Sequence, residues 1–194
     1  PCPACTREYT DPGCRRHHAQ TIACTMCGPR LELSDTQGNK IIDLDPLREA
    51  AELLDAGKIL AMRGIGGFHL ACIEESADEL KHRLGRVEQP CAVMVRPDYI
   101  AQMAVVSEQE KRDLESPVHP IVVLKKRDPT SHATISNLHT IGCMLPYTGL
   151  HHLLFRHLRH PLLVMTSANM PGYPMVTGND QAMAKLNRDV DFFL

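Results

Sequence analysis

Residues 58–73 read KILAMRGIGGFHLACI, and this stretch predicts two neighbouring strands joined by a tight turn. KILAMR and FHLACI are short apolar runs of strand length, and the GIGG between them is a turn signal. The glycines Gly64, Gly66 and Gly67 also let the backbone approach a ligand closely. No Gly-Lys-Ser/Thr follows them, so a Walker A phosphate loop is excluded.

A helix is predicted immediately before this strand pair, at DPLREAAELLDAG, residues 45–57. Asp45 is in the position of an N-cap, Pro46 occupies the first helical position, and Gly57 can end the helix. Apolar residues recur at helical spacing, and they form one face of the helix: Leu47, Ala50, Ala51 and Leu54.

Strands and helices continue to intermix toward the C-terminus. Further strands are predicted at PCAVMV (90–95), HPIVVLKK (119–126) and PLLVMTSAN (161–169). Further helices are predicted at SADELKHRL (76–84), SEQEKRDLE (107–115), GLHHLLFRHLR (149–159) and NDQAMAKLNRD (179–189). Because the order lacks strict βαβ repetition, the expected fold class is α/β or α+β, with one mixed twisted sheet flanked by helices.

Side-chain spacing refines three of these helices. Ser76 and Glu79 have the spacing of a capping box, and Ser107 and Glu110 repeat it. Both pairs therefore predict helix starts. In the helix at 149–159, the expected apolar face consists of Leu150, Leu153, Leu154 and Leu158.

Two Cys-x-x-Cys pairs, Cys2 with Cys5 and Cys24 with Cys27, open the chain. This is the ligand spacing of a four-thiolate zinc site, which leaves no open position for water and is therefore structural. We predict a structural Zn²⁺ held by these four cysteines. A disulfide framework is one alternative. Another is a site of three cysteines and one histidine that uses the intervening loop, which contains Cys14, His17 and His18.

The composition is that of a soluble domain with a small appendage. At 194 residues, with 43% hydrophobic and 23% charged residues, the chain fits one ordinary domain and a smaller module. A net charge of −2 argues against a dedicated nucleic-acid-binding protein. No apolar run reaches the ~18 residues of a membrane span, and no leader resembles a signal peptide, so a cytoplasmic location is expected. We predict a zinc module over 1–33, a linker over 34–45 and the main domain over 46–194.

Polar side chains follow the buried strand predicted at 161–169. Thr166, Ser167 and Asn169 lie where that strand ends, a usual position for ligand-binding residues on open sheets. Their hydroxyl and amide groups can bond to phosphate or ribose, while an N-cap turn is the structural alternative. Lys125 and Lys126 end another strand, where contact with phosphate competes with simple solvation.

Several motifs in a fixed order carry a resemblance to a known family. They are CPAC…EYTDP…RRHHAQ…AC…CGP, then GIGGFHLAC, CMLPYTGLHHLL and VMTSAN. Together they resemble the hydrogenase-maturation carbamoyltransferase family HypF, over its second zinc-finger repeat and the following YrdC-like domain. The acylphosphatase domain, the first zinc finger and the C-terminal carbamoyl-transfer domain of that family have no counterpart in these 194 residues.

The resemblance implies an adenylating enzyme module. In the family, carbamate released from carbamoyl phosphate reacts with ATP and Mg²⁺ to give carbamoyl-adenylate and pyrophosphate, and the carbamoyl group then passes to a partner, HypE. The resemblance implies catalytic roles for Arg83, Arg86 and Ser167. It implies nucleotide binding by Lys81, Gly66, Gly67, His69, Lys125, Thr148, Thr166, Ser167 and Asn169.

The basic stretch before the AVMV strand departs from the family pattern. The family has Leu-Arg-x-Arg-Lys-x-Arg-x-x-Lys-Pro, and this chain has LKHRLGRVEQP over residues 80–90. Leu84 and Gln89 stand where lysines are expected, and Glu88 adds a negative charge. Two alternative functions therefore stay open. One is a non-catalytic, zinc-stabilised module that binds nucleotide or a partner, and the other is threonylcarbamoyl-adenylate synthesis for tRNA modification.

Overall fold

The structure, a computed structural model, describes residues 1–41, 45–169 and 173–194. The chain divides into two compact units, Pro1–Leu31 and Glu32–Leu194. Within the described ranges, no helix combines the length and the apolar character that crossing a bilayer requires.

The N-terminal unit begins with a helix, α1 (Pro3–Thr10), which the sequence prediction omitted. Pro3 suits the first helical turn, where a backbone N–H would have no partner within the helix. The loop after α1 is held by Arg16, whose guanidinium donates to the Glu8 carboxylate at 2.6 Å and also to the Ala23 carbonyl. One of the loop arginines therefore has a structural role in this unit.

The larger unit is built on one mixed sheet, which has nine strands in the described residues. The strands are β1 (Ser34–Asp35), β2 (Leu60–Arg63), β3 (Phe68–Cys72), β4 (Ala92–Val95), β5 (Ala104–Val105), β6 (Val122–Lys126), β7 (Thr140–Met144), β8 (Leu162–Ser167) and β9 (Phe192–Phe193). Their order across the sheet is β1-β9-β2-β3-β8-β4-β7-β6-β5. The β2–β9 and β4–β7 pairs are parallel and the other pairs are antiparallel. The mixed fold predicted from the sequence is confirmed.

Helices cover both faces of this sheet. In the described ranges they are α2 (Pro46–Asp55), α3 (Ala77–Arg83), α4 (Pro97–Met103), α5 (Glu108–Leu114), α6 (Gly149–His157) and α7 (Asn179–Leu186). The start of α2 is as predicted, because the Asp45 carboxylate accepts from the N–H groups of Leu47 and Arg48 at 3.1 and 3.3 Å. Its predicted apolar face is buried, which removes the face from water and stabilises the helix against the sheet.

The strands separate two apolar cores, because successive side chains of a strand point to opposite faces of a sheet. On β8, Leu162 and Val164 belong to the first core, while Leu163 and Met165 belong to the second. The first core also contains buried residues of α3 and α7, and the second contains those of α2 and α6. Burial on both faces explains why this strand reads as a continuous apolar run.

The capping box predicted at Ser76 does not form. The Ser76 hydroxyl donates to the Gly57 carbonyl at 2.8 Å and makes no cap bond to α3. The box at Ser107 and Glu110 is complete, with the Ser107 N–H donating to the Glu110 carboxylate at 2.7 Å and the Glu110 N–H donating to the Ser107 hydroxyl at 3.3 Å. The spacing is the same in both, and a contact with the end of α2 diverts Ser76.

Part of the segment predicted as a linker is ordered structure. Ser34 and Asp35 form β1 and pair with Phe193 and Phe192 of β9. Leu33 is buried, and its carbonyl accepts from the Ile41 N–H at 2.8 Å. Residues 42–44 of the segment lie outside the described residues. A polar, turn-rich stretch carries no strand signal here because the pairing partner lies at the far end of the sequence.

The buried face of α6 is shifted from the predicted one. Leu154 and Leu158 are buried as expected, but Leu153 is 45% exposed. His151 and Phe155 are buried in its stead, and His151 is only 1% exposed. The prediction from leucine spacing therefore placed the buried face of α6 part of a turn away from its actual position.

Several short elements of the larger unit had no clear sequence signal: α4, β5, β7 and β9. β7 contains Gly142, a residue type that is depleted in strands. It is nevertheless a central strand, because it pairs with β4 on one side and β6 on the other. Pairing with distant strands decided its conformation.

Candidate functional site

The four paired cysteines converge in the N-terminal unit. Cys2 occupies the N-cap position of α1 and Cys5 lies in its first turn, while Cys24 and Cys27 flank a tight turn. The sulfur–sulfur distances are 3.7 Å for Cys2–Cys24, 3.7 Å for Cys5–Cys27 and 3.9 Å for Cys24–Cys27. All four sulfurs lie within 4.8 Å of one another.

This geometry fits a tetrahedral Zn²⁺. Four thiolates at ~2.3 Å from a zinc ion are separated by about 3.8 Å, which the observed distances match. A hydrogen bond from the Cys2 backbone is the main cause that lowers the pKa of the Cys27 thiol to about 6. The Cys5 backbone likewise lowers the pKa of Cys2. The turn also requires Gly28, because a Cβ there would lie 2.8 Å from the Cys24 carbonyl oxygen.

The other candidate ligands of this unit lie outside the four-sulfur group. His17 and His18 stack on each other with ring centroids 4.1 Å apart, and His18 also stacks on Tyr9 at 5.0 Å. The Cys14 sulfur accepts from the Arg16 N–H at 3.4 Å. Across the part of the chain that the structure describes, only the four paired cysteines form a group of three or more potential ligands around one point.

In the larger unit, a cleft of about 490 Å³ opens where β8 ends. Its walls come from β3, from α3 and the basic stretch after it, from the turn after β8, and from α7 with the segment that follows. The main lining residues are Leu70, Arg83, Leu84, Arg86, Ala168, Asn169, Tyr173, Lys185 and Asp189.

Three of the predicted site residues, Arg86, Ser167 and Asn169, meet at the C-terminal end of β8. The Ser167 hydroxyl donates to the Asn169 side-chain oxygen at 2.7 Å. The Arg86 guanidinium donates to the Asn169 carbonyl at 2.7 Å. This bond holds the positive charge of Arg86 beside the end of β8. Thr166 pairs with Leu70 in the β3–β8 register and therefore faces the same side of the sheet as this cleft residue.

Arg83 lies in the cleft wall, but its guanidinium is engaged. It donates to Glu79 at 2.9 Å and to Asp191 at 3.0 Å. The other oxygen of Asp191 accepts from the Ile59 N–H at 2.8 Å, so the pair connects α3 to the start of β2. Arg83 therefore contributes positive charge to the cleft while holding two distant segments together.

The rest of the basic stretch divides between the interior and the surface. Lys81 is 6% exposed, and its charge, together with that of Arg86, lowers the pKa of the Cys91 thiol against the larger effect of burial, which raises it. Leu84 lines the cleft at a position where the sequence pattern expects a lysine. Gln89 is exposed and does not line the cleft.

Two charged cleft residues were missed by sequence reasoning, Lys185 of α7 and Asp189 after it. Lys185 is exposed, and it forms no ion pair or hydrogen bond with any residue that the structure describes. Burial raises the pKa of Asp189, while Arg83 and Arg86 oppose that shift. Lys185 and Asp189 are four residues apart on a predicted helix, which indicated that they share one helix face. Nothing in the sequence indicated that this face lies near the end of β8.

Other predicted site residues lie away from the cleft. Lys125 is exposed on β6, far across the sheet order from β3 and β8. Gly66 is exposed in the turn before β3, and Gly67 is required by packing, since its φ is +145° and a Cβ would lie 2.7 Å from the Val176 carbonyl oxygen. His69 alternates with the cleft residue Leu70 on β3, and it therefore points to the opposite face.

Thr148 caps α6, where its hydroxyl accepts from the His151 N–H at 3.2 Å. This bond satisfies one of the backbone donors that every helix start leaves open. Thr148 therefore has a structural role at this helix start.

Two family models match this chain. The model for Sua5, YciO and YrdC, described as "Telomere recombination", matches residues 52–194. The model described as "HypF finger" matches residues 2–34, which contain the four-cysteine cluster.

Curated relatives match the whole of this chain. The chain is 44% identical over 196 residues to the carbamoyltransferase HypF of Rhodobacter capsulatus, covering 100% of this chain and 26% of the relative. It is 48% identical over 249 residues to the probable carbamoyltransferase HypF of Methanocaldococcus jannaschii, covering 100% of this chain and 32% of the relative. The chain thus spans between a quarter and a third of the length of these relatives.

Solved structures agree with the family match. A crystal structure of T. kodakarensis HypF superposes with a TM-score of 0.88 at 44% identity, over 99% of this chain and 26% of that chain. A structure of full-length HypF in the phosphate- and nucleotide-bound form superposes with a TM-score of 0.85 at 39% identity, over 99% of this chain and 26% of that chain. The chain therefore belongs to the Sua5/YciO/YrdC family, and it carries a HypF finger ahead of the family domain.

Proposed function

We propose that the larger unit binds ATP with Mg²⁺ in the cleft at the end of β8 and joins the AMP part of ATP to carbamate. The products are carbamoyl-adenylate and pyrophosphate. The observation that carries this proposal is the convergence of Arg86, Ser167 and Asn169 at one strand end. The likeness to a nucleotide-bound HypF structure supports nucleotide as the ligand.

The chemistry of this step needs positioning and positive charge. A carbamate oxygen attacks the α-phosphorus of ATP, the new P–O bond forms, and the bond to the bridging oxygen breaks so that pyrophosphate leaves with the electron pair. Both reactants are anions, so preorganised cations and N–H donors stabilise the transition state. Arg86 and Lys185 are the cations proposed to contact phosphate, while Arg83 holds the wall beside them.

Ser167 and Asn169 are proposed to orient the nucleotide. Their side chains are hydrogen-bonded to each other at 2.7 Å, so each limits the rotation of the other. The Ser167 side chain is exposed at the strand end and can exchange this bond for one to a phosphate or ribose oxygen.

The finger is proposed to hold a structural zinc ion through Cys2, Cys5, Cys24 and Cys27. When bound, the ion crosslinks the two cysteine pairs and supplies folding free energy to the unit. Curated relatives of greater length are named carbamoyltransferases. We therefore propose that carbamate derives from carbamoyl phosphate and that a HypE-like protein receives the carbamoyl group.

The decisive experiment is carbamate-dependent exchange of labelled pyrophosphate into ATP by the 194-residue chain. Exchange should require ammonium and bicarbonate together, because carbamate forms from both. Ser167→Ala should lower the exchange rate roughly tenfold or more, since it removes one hydrogen-bonding group. Ser116→Ala is the matched control, because the hydroxyl of that half-buried serine donates to the Asp113 carbonyl, remote in sequence from the cleft residues.

An absence of both exchange and nucleotide binding at millimolar ATP would rule the proposal out. Nucleotide binding without exchange would favour the non-catalytic alternative, for which Leu84 in the cleft is the supporting observation. Leu84→Lys then gives a second test, because restoring the cation should raise exchange if its loss is what limits turnover.

A further inference from the structure

Cys91 adjoins the cleft, at the position immediately before β4. Its side chain packs against the first core, as that of Val93 does two positions later, so it faces the same side of the sheet as the cleft. Extending the β4–β8 register by one position places Cys91 opposite Thr166, whose partner on β3 is the cleft residue Leu70. The Cys91 side chain is half-buried. The fold therefore places a partly accessible thiol at the border of the cleft.

Two cations act on this thiol, Lys81 of α3 and Arg86 of the segment after it. Burial raises the pKa of Cys91, and the charges of Lys81 and Arg86 oppose that shift. Lys81 belongs to the buried side of α3, between that helix and the sheet face that carries Cys91.

The Lys81 ammonium is almost completely buried, since the residue is 6% exposed. Among the residues that the structure describes, it has no hydrogen bond and no ion pair. A buried charge without a partner is costly, and an anion formed beside it is strongly stabilised. The surroundings of Cys91 therefore favour a negatively charged form of its sulfur over one that the interior would otherwise reject.

The other two cysteines of the larger unit lack this combination. Cys72 on β3 and Cys143 on β7 are fully buried. Burial raises the pKa of both thiols, that of Cys143 to about 12. Reactive cysteines are partly exposed and lie near cations, whereas buried structural cysteines are inert. Cys91 is therefore the thiol of this unit that a small oxidant can reach.

Strand spacing excludes a disulfide between Cys91 and either of these neighbours. β8 lies between β3 and β4, so Cys72 is two strand spacings from Cys91, or about 10 Å. Cys143 pairs with Val93, two positions past Cys91, which separates the two cysteines by about 8 Å along a diagonal. Cysteines whose Cα atoms are more than about 7 Å apart cannot be bridged without backbone movement. Oxidation of Cys91 therefore stops at a sulfur oxyacid.

We propose that Cys91 is an oxidation site that controls nucleotide binding, because its sulfenate form pairs with Lys81 and Arg86 and withdraws their charge from ATP. This assignment rests on the proposed function and adds regulation to the same site. The oxidant is hydrogen peroxide. The Cys91 thiolate attacks one peroxide oxygen, an S–O bond forms and the O–O bond breaks. Hydroxide leaves with the electron pair and takes up the proton that the thiol lost, which gives water.

Sulfur loses two electrons in this step and the peroxide gains them, and a thiol reductant reverses the oxidation. The effect on the cleft follows from Arg86, whose guanidinium lines the cleft and donates to the Asn169 carbonyl at 2.7 Å. A negative charge at Cys91 neutralises part of the positive potential there and also repels phosphate. Oxidation should therefore weaken ATP binding.

The direct test is labelling of sulfenic acid with dimedone in the complete 194-residue chain after brief treatment with hydrogen peroxide. Mass spectrometry should find at least about tenfold more label on Cys91 than on Cys72 or Cys143. In the urea-unfolded chain the three cysteines should label alike, because their surroundings no longer differ. Lys81→Met should slow the labelling of Cys91 severalfold, and Lys81→Arg should restore it, since arginine keeps the charge.

A second test measures ATP affinity by calorimetric titration. Cys91→Asp introduces a permanent negative charge and should raise the dissociation constant for ATP at least about tenfold. Cys91→Asn, which is similar in size and uncharged, is the matched control and should stay within about twofold of the parent chain.

Peroxide gives the same comparison without a charged variant that has to fold. Treatment should raise the dissociation constant of the parent chain for ATP at least about tenfold, and dithiothreitol should reverse the change. Cys91→Ala should bind ATP as the parent chain does, with or without peroxide.

Equal labelling of Cys91 and Cys143 in the folded chain would overturn the inference. An unchanged ATP affinity after complete oxidation of Cys91 would also overturn it, and it would leave the proposed adenylation standing. Selective labelling in a chain that binds no ATP would uphold Cys91 as the oxidation site and refute the adenylation, together with the control of ATP binding. The two ideas can therefore fail separately.

Discussion

Arg83 and Arg86 are three positions apart in the basic stretch, and their surroundings give them different roles. Arg83 is held by Glu79 and Asp191, and its side chain is 24% exposed. The Arg86 guanidinium lies at the cleft and donates to the Asn169 carbonyl, and among the described residues it has no acidic partner. A ligand phosphate can bind Arg86 without displacing an acidic partner, whereas binding Arg83 would compete with two carboxylates.

Replacement of each arginine by methionine should therefore affect a different quantity: ATP affinity for Arg86 and the free energy of unfolding for Arg83. Arg86→Met should weaken ATP binding roughly ten- to a hundredfold, because it removes a charge-assisted hydrogen bond. Arg83→Met should lower the free energy of unfolding by about 1 kcal/mol through loss of its ion pairs and change ATP affinity less. Calorimetric titration with ATP and urea unfolding measure the two quantities. Equal loss of ATP affinity in both variants would contradict this division.

His151 should make stability depend on pH. Its pKa is lowered to about 4 by burial, from an ordinary value of 6.5. Between those values the unfolded chain binds a proton that the folded chain does not, so the free energy of unfolding falls as the pH falls. From about pH 7.5 to about pH 5, His151 should account for a loss of about 2 kcal/mol.

Urea unfolding at both pH values measures this loss. His151→Phe should remove the His151 share of the pH dependence and, at neutral pH, leave stability unchanged or raised, because an unpartnered buried nitrogen is gone. His152→Phe should keep most of the pH dependence of the parent chain, because burial is the main cause of the lowered His151 pKa and the charge of His152 is a smaller one. An unchanged pH profile in His151→Phe would show that the histidine is not held neutral in the folded protein.

At the scale of elements, helix starts show how far local sequence reaches. Asp45 and Ser107 cap α2 and α5 as the sequence predicts, since the cap bonds join residues two or three positions apart. Ser76 has the same local pattern but bonds to Gly57, nineteen positions away. A local signal therefore holds until a non-local partner competes for the same hydroxyl.

Ser107→Ala should lower the free energy of unfolding by about 1 kcal/mol, because the N-cap bond to the Glu110 N–H is lost. Ser107→Asp should recover most of that loss, since aspartate is also a good N-cap residue. Urea unfolding of the three chains provides the measurement. If Ser107→Ala has the same free energy of unfolding as the parent chain, the capping box contributes nothing to stability.

Across the molecule as a whole, the division into Pro1–Leu31 and Glu32–Leu194 separates two sources of stability. The larger unit has two extensive apolar cores, one on each face of the sheet. The small unit, all of whose residues are described, has Cys5 as its one buried apolar residue. A chain segment of that size requires a crosslink such as a metal ion to stay folded.

Zinc removal should therefore unfold only the small unit. With a chelator, amide hydrogen exchange in residues 1–31 should become fast, while exchange in residues 45–169 stays slow. Cys5→Ser should abolish stoichiometric zinc binding, and Cys14→Ser, a change of the same chemistry outside the cluster, should retain it. Protection of residues 1–31 that survives chelation would refute the zinc assignment.

Features that depend on near neighbours could be predicted from the amino-acid sequence alone. These are the two Cys-x-x-Cys knuckles, the caps and apolar face of α2, the strand–turn–strand at 58–73 and the polar turn after β8. Their physical basis is short-range, since a metal-ligand spacing, a cap bond or a glycine turn is complete within a few residues. For that reason the mixed fold and the candidate zinc ligands follow from local patterns.

Which of these side chains meet depends on the tertiary fold. The fold engages Arg83 with Asp191, 108 positions away, and it brings Lys185 and Asp189 to the cleft. It also packs the Tyr147 ring against the His151 ring and brings Tyr147 and His69 close to Gly64. Such contacts follow from strand order and register, in which β3 pairs with β8 across almost a hundred residues. That pairing is set by the burial of two apolar cores and not by any single stretch of sequence.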